Sequence, residues 1–228
     1  MKLNLFNFIS RMVIAIVGVC VILLQKPHLV QTEPVAQIQV ESKIAQPSST
    51  EPAELVFNIS ETAYLDHPGG EQLDHSLVSK ITSEVVSNLE LVPQTPEFKH
   101  LVFETMIVET LMGKSNYIRA AKRNNFGIAQ IRPETAKDVL KNIKKKNIND
   151  YYYIISLKNS NLSLKQNLLS NVHFSIAICA EFYALKKIKR LDSKHLRAQV
   201  WKRFYNTKKG KGTVDAYVKR VTNYYASL

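Results

Sequence analysis

Cysteine is scarce in this chain. Cys20 lies inside an N-terminal apolar run and Cys179 on a predicted buried helical face. A disulfide between them is not expected, so cysteine usage argues nothing about an oxidising compartment. Neither has metal-ligand neighbours at useful spacing, and the scattered histidines form no His-x-x-x-His pair, so no metal site and no cofactor are expected. Internal repeats are lacking. Strand signals are weak: Tyr151 to Leu157 could pair locally but has no obvious partner. Acidic residues run short late in the chain. Residues 101–228 carry 25 Lys/Arg against 8 Asp/Glu, a charge of +17, whereas residues 1–100 carry 6 against 11, or −5. Such asymmetry fits a polyanionic partner (nucleic acid, membrane headgroups or cell-wall polymer) or simply a solvated basic face.

What is present begins with Met12–Leu24, an unbroken apolar run preceded by Lys2 and Arg11. As a helix that run reaches roughly 20 Å, short of a bilayer core of about 30 Å, and extending it back to residue 3 brings it up to length. Basic residues ahead of an apolar core favour a cytoplasmic N-terminus with the remainder exported. Small residues suited to cleavage are missing after Leu24, which favours a signal anchor at residues 3–24 over a cleaved signal peptide. Residues 25–75 read as a largely disordered linker, with Pro27, Pro34, Pro47 and Pro52 among polar residues. Residues 76–228 read as a mainly α domain. Leu77, Val78, Ile81, Val85 and Leu89 stripe a first helix; Thr95-Pro96-Glu97 opens a second, predicted to run to Met112 and stop at Gly113. Pro133 opens another, Val172 to Tyr183 stripes a long one, one follows around Leu196 to Phe204, and Val214 to Tyr225 forms the last.

The residue that stands out is Glu109. Phe98, Leu101, Val102, Thr105, Met106, Glu109 and Met112 recur at steps of three and four, the period of a buried helical face. A carboxylate on such a face must find a partner or stay neutral through a raised pKa, which is what a general acid needs at neutral pH. Glu104 lies about 140° round the same helix and off that stripe, which predicts a solvated or ion-paired surface residue. No second carboxylate has an evident place beside Glu109, so a two-carboxylate retaining mechanism is not supported.

Three short motifs follow in order: Glu109-Thr110, Gly127-Ile128-Ala129-Gln130 with Pro133 and Thr135-Ala136 behind it, and Tyr205-Asn206. In that order the chain resembles the soluble lytic transglycosylases, lysozyme-like enzymes that cut bacterial peptidoglycan, over roughly residues 77–228. Thr110 stands where the family has serine. Leu111 to Asn125 lacks the family's Asn-Pro and Gly-Ala steps and carries Lys114, Arg119, Lys122 and Arg123. The resemblance implies a lysozyme-like fold in which Glu109 protonates the MurNAc–GlcNAc glycosidic oxygen and then acts as base, leaving a 1,6-anhydro end. It also implies that Thr110, Gly127, Ile128, Ala129, Gln130, Tyr205 and Asn206 bind substrate, with the Tyr205 hydroxyl orienting the carboxylate. The implied partners are peptidoglycan strands, the inner membrane and a secretion or conjugation complex, with the domain in the periplasm. Two other readings compete. A non-catalytic lysozyme-like module would gain nothing from a costly buried carboxylate. A nucleic-acid binder, which Lys144-Lys145-Lys146 could serve, is disfavoured by export.

Overall fold

The computed structural model of the chain describes residues 67, 69–115 and 123–228. The Met12–Leu24 run therefore lies outside the described residues, as does the linker up to residue 66. Within the described residues no helix is long and apolar enough to cross a membrane.

Capping chemistry sets the first boundaries. Asp74 caps α1 (His75–Ser87) by accepting from Leu77 N. Thr95 caps α2 (Pro96–Thr110) by accepting from Phe98 N at 3.3 Å, with Pro96 in the first turn where its missing N–H costs nothing. Pro133 likewise opens α3 (Pro133–Lys146). The aromatic and β-branched run after it forms α4 (Ile148–Ser156) rather than a strand. Asn147 there accepts from Asn149 N and Asp150 N, and the Asp150 carboxylate takes the N–H groups of Glu90 and Leu91 at 2.7 and 2.8 Å. A short α5 (Leu164–Ser170) carries a full capping box between Ser163 and Gln166. Then follow α6 (Val172–Ala184), α7 (Lys194–Val200), a π-helical turn at Trp201–Asn206 continuous with α7, and α8 (Val214–Ala226).

Helix α6 is the centre of the domain. It packs against α1, α2, α3, α4 and α5, and eleven of its thirteen residues are buried. Glu181 is among them: burial first, then the Asp150 carboxylate, pushes its pKa up to about 9, so it is neutral at pH 7. Helix α2 is the second core element, enclosed by α1, α6 and α8 and buried on nearly every side. The chain entering the domain is already tied down before α1. His67 N donates to Ser170 O, Gly70 N to Gly113 O and Leu73 N to Met112 O.

One boundary and one burial differ from the sequence expectation. Helix α2 stops at Thr110, because Leu111 (φ 52°) and Met112 (φ 55°) turn left-handed ahead of Gly113 (φ 93°). Two non-glycine residues in that region are costly, and the Thr110 hydroxyl offsets part of the cost by accepting from Gly113 N at 3.1 Å. Second, Glu104 is no surface residue. It is 1% exposed, because the side of α2 facing away from the stripe is covered by α7 and α8. There it meets Arg197 through two hydrogen bonds, Nε–Oε2 at 2.8 Å and Nη2–Oε1 at 2.7 Å, and accepts a third from the Tyr217 hydroxyl at 3.0 Å.

Candidate active site

Glu109 sits in the last turn of α2, on the wall of a cleft of about 410 Å³. Gln130, Arg132, Thr135, Phe182, Phe204, Tyr205, Asn206 and Lys209 line the same cleft. Among the described residues lining it, Glu109 is the one carboxylate. The side chain is partly open to the cleft while its carboxyl group is surrounded by protein, and that burial pushes its pKa up to about 7. Two weaker effects pull the other way: the Trp201 indole N–H donates to Oε1 at 2.9 Å, and the Arg220 cation lies nearby. At pH 7 the group is therefore divided between acid and carboxylate.

Trp201 is the residue that sequence reasoning missed. It stands one turn after Arg197 on the continuous α7–π helix, so that helix grips α2 at two points, Arg197 on Glu104 and Trp201 on Glu109. The widened π turn carries Phe204, Tyr205 and Asn206 to the cleft wall. The signal in the sequence was a lone tryptophan four residues ahead of Tyr205.

The Tyr205 hydroxyl does not reach Glu109. It donates to the Ala129 carbonyl, and its ring stacks on Tyr183 (5.5 Å between centroids) and meets the edge of Phe182 (5.3 Å). Cys179 lies behind it, its thiol kept protonated by burial.

Gly127 to Gln130 is a tight hairpin loop closed by a Phe126–Ile131 bridge with hydrogen bonds of 3.1 and 3.0 Å. Ile128 and Ala129 are buried, and what they contribute is backbone. The Ile128 carbonyl is 2.9 Å from the Thr110 hydroxyl, and the Ala129 carbonyl accepts from Tyr205. Thr110 is fully buried, so it clamps the hairpin to the end of α2 and has no surface to offer a ligand. Gln130 reaches the cleft, with its Nε2 donating back to Gly127 O at 2.8 Å. Glu109, Gln130, Tyr205 and Asn206 are thus brought together, while Thr110, Gly127, Ile128 and Ala129 stand behind them as support.

Gly127 is required by the chain itself. Its φ is +68°, and a Cβ there would lie 1.8 Å from the Leu168 carbonyl oxygen of α5. Gly127→Ala is expected to lower the melting temperature by several degrees, corresponding to about 1–3 kcal/mol, in the protein without any ligand. An unchanged melting curve with weakened glycan binding would instead assign the glycine to ligand approach.

Among the described residues no three or more His, Cys, Asp or Glu side chains are grouped so as to hold a metal ion. The chain matches no known protein family, no curated protein and no solved structure.

Proposed function

We propose that this protein is a peptidoglycan lytic transglycosylase with Glu109 as its single acid and base. The observation that carries the reading is a carboxyl group poised near pH 7 on the wall of a cleft where no other described residue of the lining is a carboxylate. One-acid chemistry suits that inventory. Protonated Glu109 gives its proton to the bridging oxygen as the muramic C1–O bond breaks, and the substrate's own 2-acetamido group stabilises C1. The resulting Glu109 carboxylate then takes the proton of the muramic 6-hydroxyl as that oxygen bonds to C1. The acid is restored and the product ends in a 1,6-anhydro ring, with no water consumed.

The remaining residues have supporting parts. Gln130 and Asn206 offer amides to acetamido groups. Phe182, Phe204 and Tyr205 form an aromatic wall for sugar faces. Trp201 orients Glu109, a part the sequence reading gave to Tyr205. The helical arrangement is read as lysozyme-like, with residues 3–24 as an inner-membrane anchor, the domain in the periplasm and an envelope-spanning secretion or conjugation machine as client.

Digestion of purified peptidoglycan with the full chain, followed by mass spectrometry of the products, tests this. Anhydro-muropeptides are expected. Products with free reducing ends would make the protein a hydrolase, and binding without any product would make it a glycan-gripping module.

A further inference from the structure

Arg132 and Lys209 both line the Glu109 cleft, both are exposed, and neither has a carboxylate partner among the described residues. The acidic side chain nearest Arg132 in sequence, Glu134, is engaged by Asn124 Nδ2 at 3.0 Å. Arg132 makes one long contact, Nε to the Asn125 amide oxygen at 3.4 Å, which leaves its terminal nitrogens unengaged.

Both cations stand on segments held by hydrogen bonds and close packing. Arg132 follows the Phe126–Ile131 bridge directly and precedes Pro133 at the start of α3, a helix end with no side-chain cap of its own. Lys209 belongs to the Thr207–Gly212 turn, which folds back on the π segment. A Cβ at Gly210 would lie 2.2 Å from the Asn206 carbonyl oxygen, and one at Gly212 would lie 2.4 Å from the Trp201 ring. The Lys202 ammonium fastens that turn, donating to Asn206 Oδ1 at 2.8 Å and to Gly210 O at 2.9 Å.

The surroundings strengthen the field. Glu104, Asp150 and Glu181, three of the eight acidic residues beyond position 100, are buried, and Arg190 holds Asp192. Buried Arg197 cancels Glu104, so Asp150 and Glu181 are the buried acids that leave the described surface of this half more basic than its net charge suggests. A cleft that holds two unpaired cations against one carboxyl group whose charge is reduced by burial attracts anions.

We propose that Arg132 and Lys209 read a carboxylate carried by the glycan strand beside the cleaved bond, so that the cleft selects acidic over neutral β-1,4-linked glycans. This rests on reading the cleft as a glycan site. The carboxylate has two chemical sources, a lactyl ether on the sugar or a peptide attached to it.

The test uses the full chain bearing Glu109→Gln, which prevents turnover, with dissociation constants measured for three probes of equal length. These are a neutral N-acetylglucosamine oligomer, a strand with free lactyl groups and a strand with peptide-capped lactyl groups. At least one acidic strand is expected to bind about tenfold tighter than the neutral one. Arg132→Gln combined with Lys209→Gln should bring that ratio close to one, and so should high salt, because exposed pairs are screened. Tighter binding of the free-lactyl strand places the carboxylate on the sugar, and tighter binding of the capped strand places it on the peptide. Equal affinity for all three probes, a ratio unaltered in the double variant, or no binding of any strand overturns the proposal. Product analysis of the wild-type chain separates the two claims: cleavage without preference removes the cation pair alone, and preference without cleavage removes the transglycosylase reading alone.

Discussion

Glu109→Gln is expected to abolish glycan cleavage, by on the order of a thousandfold or more, while leaving a folded protein that is more stable than the wild type at alkaline pH. The loss of activity follows from chemistry, since an amide can neither donate the proton nor recover it, and general acid–base steps are worth about 10²–10⁴ each. The gain in stability follows from linkage. Burial raises the folded-state pKa of Glu109 to about 7, above the ordinary value of 4.5. The folded chain thus holds this proton more tightly than the unfolded chain does. That contribution to stability is present in full below pH ~4.5 and is lost as pH rises to about 7. Above that range an ionised carboxylate is held away from water, at a cost of up to about 3 kcal/mol, an upper bound because part of the side chain is open to the cleft. Glutamine does not titrate and still accepts from the Trp201 indole. Melting temperature measured from pH 4 to pH 9 should show the two proteins converging at the acid end and the variant ahead at the alkaline end. Wild-type cleavage should decline as pH passes about 7, where the acid form of the folded protein disappears. A variant that retains activity, or one that melts lower at pH 9, would remove Glu109 from its role.

Much of the fold was legible because it is written locally. Thr95-Pro96-Glu97 and Pro133 start helices by properties of those residues alone, and the stripes of α1, α6 and α8 follow from period. Ser163-Leu164-Lys165-Gln166 is equally local, a capping box before a short helix. The segment whose element the sequence leaves open is Tyr151 to Leu157. Its aromatic and β-branched residues suit a strand, but Asn147 starts a helix there and Asp150 locks it onto the backbone at Glu90 and Leu91, sixty residues away.

The site divides the same way. Glu109 could be found from a carboxylate on an apolar period. What holds it could not, because the Trp201 contact spans 92 residues and depends on a π turn that no local pattern announces. The stripe argument also contained the error about Glu104. Period identifies one buried face, and the opposite face is solvated only when nothing covers it. Helix α2 is enclosed, so an off-stripe position there is another interior position with a different set of neighbours.

For the same reason Glu104→Gln is expected to be among the most damaging substitutions in the domain, lowering stability by about 3–5 kcal/mol. Arg197 is 8% exposed and spends two nitrogens on Glu104 and a third on the Leu191 carbonyl at 3.1 Å. An amide in place of the carboxylate leaves that guanidinium buried without its counter-charge, and a domain whose total stability is about 5–15 kcal/mol tolerates such a loss poorly. The damage should also reach the cleft. Arg197 and Trp201 lie one turn apart on the same helix, so releasing the first loosens the hold of the second on Glu109. Pairing Glu104→Gln with Arg197→Met removes the stranded cation, and a large part of the lost stability should return, giving a strongly non-additive cycle in denaturant titrations. The two glutamates, five residues apart on one helix, thus predict opposite phenotypes: position 109 folded and inactive, position 104 unstable. Simple addition of the two single losses in the double variant would show that the pair carries no mutual energy. In that case the grip of α7 on α2 would rest on apolar packing alone.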